Sequence, residues 1–198
     1  MNAKWKGRPV SVSAGEKLFD LEHSSREMFL LQSGHVRLTG RNGVIFDHLK
    51  TGSFLGEQLF LAPNGGRQVA TALSHVEAIA FRKPDLLAEW RRDPNFAMRL
   101  VKDLAQRLDR YEELIADMVT EKTEIRLARL LLRQAPNHRR SGWVRLPFRF
   151  TNVELAKMVG TTRWRVSHLL SRFQRLGWLR RDPDLWLNRE GILEYLAG

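Results

Sequence analysis

Arg163, Ser167 and His168 fall within two helical turns of one another, and Thr161, Thr162, Ser171, Arg172 and Arg175 flank them. On one helix, residues of these types at this spacing suit one kind of chemistry. Donors and acceptors in the first two turns meet base edges in a major groove, while hydroxyls and cations at the flanks hold phosphates. They do not assemble a reaction centre. The sequence contains no phosphate-cradling glycine loop, no nucleophile elbow and no metal-ligand spacing, so catalysis has no support and no cofactor is expected. With no cysteine in the chain, disulfides, thiolate catalysis and cysteine-ligated zinc or iron-sulfur centres are excluded.

Positioning these groups needs two short helices at a fixed angle, and the flanking residues encode both. Thr151-Asn152-Val153-Glu154 is a capping box, which predicts a helix starting at Asn152. Leu155, Ala156, Met158 and Val159 give it a buried face, and Gly160 supplies the sharp turn after it. A second helix starts after Thr161-Thr162 and runs to about Leu176. In that helix Val166, Leu169, Leu170, Phe173 and Leu176 share one side, while Trp164, Ser167, His168, Ser171 and Arg175 share the other. Two short helices joined at a glycine make a helix-turn-helix. Trp178 to Arg181, a turn at Asp182-Pro183-Asp184 and Leu185 to Leu187 then read as a two-stranded wing with a basic rim.

Upstream, Val10 to Phe81 reads as short apolar runs punctuated by turn formers, the pattern of a compact antiparallel β-structure. Strands are expected around Phe29 to Leu31, Val36 to Leu38, Val44 to Phe46, Val69 to Leu73 and Val76 to Phe81. Asp93-Pro94 marks the start of a long helix. Along it Val101, Leu104, Leu108, Tyr111, Ile115 and Met118 step by three and four residues in one narrow stripe, which predicts a seam with a second copy of the helix. A packed amphipathic helix within its own domain is the alternative. Another helix is expected over Glu121 to Gln134.

The charge is unevenly placed. From Thr120 to Gly198 basic residues outnumber acidic ones 16 to 7, against 17 to 15 in the first 119 residues, so most of the formal +11 sits in the C-terminal part. That part is expected to face a polyanion. Met1 to Pro9 is polar and basic, and no later apolar run approaches a bilayer's thickness, so a cytoplasmic protein without membrane contact is expected.

In this order the parts resemble the CRP/FNR superfamily of bacterial transcription regulators. The resemblance runs through Ser33-Gly34-His35-Val36-Arg37-Leu38, Gly52-Ser53-Phe54-Leu55-Gly56-Glu57, the Arg67 region, the long helix and Thr151 to Leu176. It implies an α+β chain: a cyclic-nucleotide-binding-like β-roll (a double-stranded jelly-roll) over residues 1–93, a dimerisation helix over 94–119 and a winged helix-turn-helix DNA-binding domain over 120–198. It also implies a candidate effector pocket at Gly56, Glu57, Arg67, Gln68 and Tyr111. Cyclic-nucleotide-binding members hold the ribose and cyclic phosphate with a Gly-Glu pair and an Arg followed by Ser or Thr. Glu57 and Arg67 match, but Gln68 replaces the hydroxyl residue. Tyr111 and Glu112 stand where cyclic AMP sensors place small hydroxyl residues on the long helix. Glu57 and Arg67 are therefore expected to form a structural ion pair, with cyclic nucleotide binding as the alternative. Scattered histidines, His23, His35, His48 and His75, give little support to haem.

By the same resemblance Arg163 matches the arginine that reads guanine. Trp164 replaces the family's common glutamate, and His168 a later arginine. Trp164 would lie against thymine methyls or fold back onto the protein. Base reading is thus expected from Arg163, Trp164, Ser167 and His168, and phosphate contact from Asn152, Thr161, Thr162, Ser171, Arg172 and Arg175. The expected whole is a homodimer on pseudo-palindromic double-stranded DNA, more in keeping with effector-independent binding than with cyclic AMP control. RNA polymerase is the expected further partner, which makes activation the expected sign and leaves repression by occlusion open. A sequence-indifferent RNA or DNA binder is the remaining alternative.

Overall fold

The computed structural model describes residues 5–20, 26–40, 43–61, 68–136, 142–147 and 149–197. Within them the chain forms β1 (Arg8–Val12), β2 (Lys17–Phe19), β3 (Met28–Ser33), β4 (His35–Gly40), β5 (Ile45–Lys50), β6 (Phe54–Leu55), α1 (Glu57–Leu61), β7 (Gln68–Ala72), β8 (Val76–Phe81), α2 (Lys83–Arg92) and α3 (Pro94–Thr120). Then come α4 (Thr123–Gln134), β9 (Trp143–Arg145), α5 (Asn152–Val159), α6 (Arg163–Arg175), β10 (Leu179–Asp182), β11 (Asp184–Asn188) and α7 (Arg189–Ala197). The chain divides into two compact units, residues 1–111 and 112–198, with the boundary inside α3.

In the first unit the described strands form two four-stranded antiparallel sheets, ordered β1-β8-β3-β6 and β2-β7-β4-β5. Successive side chains on a strand point to opposite faces, and β3 uses both. Phe29 and Leu31 join Phe19, Val36, Leu38, Leu49 and Leu55 in one core cluster. Met28 and Leu30 join Trp5, Phe54, Phe81, Leu86, Phe96 and Leu100 in a second. A strand covered on both faces explains the continuous apolar run Phe29 to Leu31. The second cluster brings in α2 and the first turns of α3, where Phe96 meets the rings of Trp5, Phe54 and Phe81 at 4.7, 5.4 and 5.4 Å between centroids. The start of α3 is as expected. Pro94 is its first residue, and the Asp93 carboxylate accepts from the Asn95 amide at 3.0 Å.

One face of α3 enters the first unit through Phe96, Leu100, Leu104 and Arg107. Its opposite face leaves Met98, Val101, Ala105, Leu108, Glu112, Ile115 and Val119 exposed. The apolar stripe read from the sequence therefore mixes two faces: Val101, Leu108, Ile115 and Met118 are exposed, whereas Leu104 packs on the buried cluster and Tyr111 is half-buried.

In the second unit the end of α3 is tied to α4. The Asp117 carboxylate, buried, is paired by Arg129 and, at 3.5 Å, by Arg133. Arg129 also meets Glu121 at 3.0 Å, and Arg133 lies 3.9 Å from Glu113. Arg126 donates to the carbonyls of Met118 and Glu121, both at 3.3 Å, satisfying acceptors that a helix end leaves open. Glu121 and Lys122 separate the two helices, so α4 starts at Thr123, two residues later than expected. The remainder packs α4, α5, α6 and α7 with a three-stranded antiparallel sheet ordered β10-β11-β9. The wing thus has a third strand, β9, beyond the two expected.

Candidate nucleic-acid interface and effector pocket

The helix-turn-helix is built as its sequence implies. The Thr151 hydroxyl accepts from the Glu154 amide at 3.1 Å, and the Glu154 carboxylate accepts from the Thr151 amide at 2.8 Å. Each bond satisfies a donor that the helix start would otherwise leave open. Leu155, Ala156, Met158 and Val159 are buried. Gly160 closes α5 in the left-handed region, at φ 64°, which glycine enters without a Cβ penalty. Thr162 then caps α6, its hydroxyl accepting from the Arg165 amide at 3.2 Å.

Val166, Leu169, Leu170 and Phe173 anchor α6, and the buried stripe begins only at Val166. Its first turn, Arg163, Trp164 and Arg165, is wholly exposed, as are Ser167, His168, Ser171 and Arg175. All four expected base-reading residues thus share the solvent face of one capped helix. Arg165 was not among the expected residues; its signal was the late start of the apolar stripe. Leu176, expected on the buried side, is 47% exposed at the helix end.

The expected phosphate-contacting residues divide by what already engages them. Thr162 uses its oxygen as the helix cap and keeps its hydroxyl hydrogen to donate. Ser171 donates to the Ser167 carbonyl at 3.0 Å. Asn152, the first residue of α5, accepts from Arg181 at 3.1 Å. Arg172 is paired with Glu124 of α4 at 2.7 Å, a bond that holds α6 to its own domain. Thr161 is half-buried in the turn and Arg175 is exposed. On the wing, the Arg180 guanidinium lies over the rings of Trp143 and Trp186, 4.6 and 5.1 Å from their centroids. Because Trp143 is on the unforeseen β9, sequence reading missed this arrangement.

The candidate effector residues lie in the first unit, where Gly56 precedes α1 at φ 84°. A Cβ there would sit 2.8 Å from the Glu27 carbonyl, so the close approach requires glycine. Arg67, expected to pair with Glu57, lies outside the described residues. Glu57 Oε1 accepts from Arg107 of α3 at 2.9 Å. Arg107 also donates to the Phe54 carbonyl and, at 3.0 Å, to Asp103, which accepts from the Phe54 amide. Burial works to lower the Arg107 pKa, but the carboxylates of Glu57 and Asp103 outweigh it and hold the guanidinium above its ordinary value. Gln68 is buried at the start of β7. Among the described residues neither Glu57 Oε2 nor the Tyr111 hydroxyl, both buried, has a hydrogen-bond partner. Burial, reinforced by Asp47, pushes the Tyr111 hydroxyl up to about 12, so it remains a donor at neutral pH. The Glu57 Oε2 acceptor fits a ribose hydroxyl, which would donate to it; Gln68 and the Tyr111 ring depart from the cyclic AMP pattern.

Two family patterns match the chain, the cyclic nucleotide-binding domain over residues 9–93 and the Crp-like helix-turn-helix domain over residues 125–195. The cyclic AMP receptor protein of Thermus thermophilus is 31% identical over 189 residues, covering 92% of this chain and 85% of that protein. The chain belongs to the CRP/FNR family of transcription regulators. Another relative of this CRP/FNR protein is a CRP-like cAMP-activated global transcriptional regulator of Mycobacterium tuberculosis, 27% identical over 182 residues, covering 88% of this chain and 81% of the relative. Among solved structures, a CRP/FNR-family transcriptional regulator from Thermus thermophilus shares the fold with a TM-score of 0.78 at 23% identity, over 96% of this chain and 99% of that one. No described helix is long and apolar enough to cross a membrane.

Proposed function

We propose that this regulator binds a pseudo-palindromic duplex as a homodimer, each α6 lying in a major groove about 34–36 Å from the other. Arg163, Trp164, Ser167 and His168 read bases. Asn152, Thr161, Thr162, Ser171, Arg172 and Arg175 hold the backbone, Arg172 while keeping its pairing with Glu124. The observation that carries this reading is the exposed, capped and cationic first turn of α6. The exposed positions of α3 support the dimer, since Met98, Val101, Ala105, Leu108, Glu112, Ile115 and Val119 follow a heptad spacing without interruption. The regulator works in the cytoplasm, recruits RNA polymerase through surface loops and so activates transcription.

Binding needs no cyclic nucleotide on this reading. Gln68 brings an amide where a small hydroxyl would meet a cyclic phosphate, and Tyr111 brings a ring where one would meet the base. A second reading, cyclic-nucleotide control, is favoured by one observation, the buried Glu57 Oε2 that meets no partner among the described residues, because leaving such an acceptor unmet costs about 1–3 kcal/mol. Selection from a randomised duplex pool, with and without cyclic AMP, tests both. A two-fold site enriched in both arms supports the first reading. Enrichment only with cyclic AMP supports the second, and enrichment in neither overturns effector-free binding.

A further inference from the structure

Trp164 is 75% exposed although it carries one of the largest apolar surfaces a residue can have. It does not fold back onto the domain. Its ring neighbour is His168, four residues on along α6, with centroids 5.8 Å apart and planes inclined by 20°. The stack sets the indole beside the His168 ring and leaves Trp164 largely in solvent. His168 is itself exposed, so the two nearly parallel rings form an aromatic slab in solvent on the face that also carries Arg163 and Ser167. Such a slab on the first two turns of a groove-facing helix needs an apolar counterpart, and among base edges in the major groove that counterpart is the 5-methyl group of thymine.

We propose that Trp164 selects thymine in each half-site through its 5-methyl group, and that His168 is the positioning residue that holds the indole in place. This rests on the duplex-binding reading given above and adds the base chemistry that reading leaves unspecified. Indole offers a single N–H donor and no acceptor, so shape and apolar contact, rather than a hydrogen-bond pair, set the preference.

The test replaces each thymine of the selected operator, one at a time, with deoxyuridine, which removes the 5-methyl group alone. At one thymine per half-site the wild-type protein binds the uridine probe about fourfold more weakly, the loss expected when one methyl group is no longer buried. Trp164→Ala binds the two probes equally at that position, and His168→Ala narrows the difference. Arg163→Ala lowers affinity for both probes and preserves their ratio. All three side chains are exposed, so the variants keep the wild-type melting temperature. A thymine-to-uridine ratio of one at every position, against a clear operator, overturns this inference alone. So does a Trp164→Ala variant that retains the wild-type ratio, or an equal loss on both probes from an indole lying on the backbone. A protein without sequence preference among duplexes overturns the duplex reading and the thymine preference together.

Discussion

Arg107 and Asp117 are both charged, both buried and both on α3. Each holds together what surrounds it, Arg107 by bridging Glu57, Asp103 and the Phe54 carbonyl, and Asp117 by gathering Arg129 and Arg133. Removing one partner of such a buried pair leaves the other charge uncompensated, which is why their cost shows on truncation rather than on inspection. Tyr111 is the opposite case, a buried hydroxyl that meets no hydrogen-bond partner among the described residues. Its proton is held up to about pH 12 in the folded chain, against about 10 when exposed in the unfolded one. Below pH 10 both states keep the proton. Between 10 and 12 the unfolded state releases it and the folded state does not, so stability falls as pH rises. The melting temperature is therefore expected to decline from pH 9 to pH 11, and Tyr111→Phe to flatten that decline while leaving stability at pH 7 unchanged or slightly raised. An identical slope in the variant would show that the hydroxyl ionises as freely in the folded chain as in water.

At the scale of elements, α3 explains what the sequence could and could not convey. Its inward face runs through Phe96, Leu100, Leu104, Arg107 and Tyr111, and its exposed face through Met98, Val101, Ala105, Leu108, Glu112, Ile115 and Val119. Charged or polar residues interrupt both, so a search for apolar residues at steps of three and four passes from one face to the other and yields Val101, Leu104, Leu108, Tyr111, Ile115 and Met118. Capping residues are local and unambiguous by comparison, which is why Thr151, Gly160 and Thr162 marked α5 and α6 correctly. The exposed face leads to a measurement. Leu108→Asp, which would put a charge in the proposed seam, is expected to shift the protein from dimer to monomer in sedimentation. Glu112→Leu is expected to tighten the dimer at least tenfold, since in the proposed seam it would put apolar contact where two carboxylates would otherwise face each other. A monomeric wild type, or indifference of the dimer to both changes, would remove the seam.

For the molecule as a whole, the order of roll, long helix and helix-turn-helix was legible because turn formers, helix starts and charge placement change together along the chain. What stayed hidden depends on contacts distant in sequence. β9 exists because Trp143 to Arg145 pair with Trp186 to Asn188, over forty residues on. Arg107 was unreadable as the partner of Glu57 because fifty residues separate them. The ion pairs joining the end of α3 to α4 span shorter separations but cross between two helices. They bind Glu113, Asp117 and Glu121 to α4, while the turns before Tyr111 are packed into the roll. Backbone amides within this one continuous helix are thus expected to divide into two populations in hydrogen exchange. Those of residues 113–120 should open at the rate of residues 123–134, and those of residues 96–107 at the rate of the strands, with the step between them falling near Glu112. A helix exchanging at a single rate from end to end would mean that hydrogen bonding along its axis outweighs both sets of attachments. A step would mean that one unbroken helix carries two separate thresholds for melting, each set by what its half packs against.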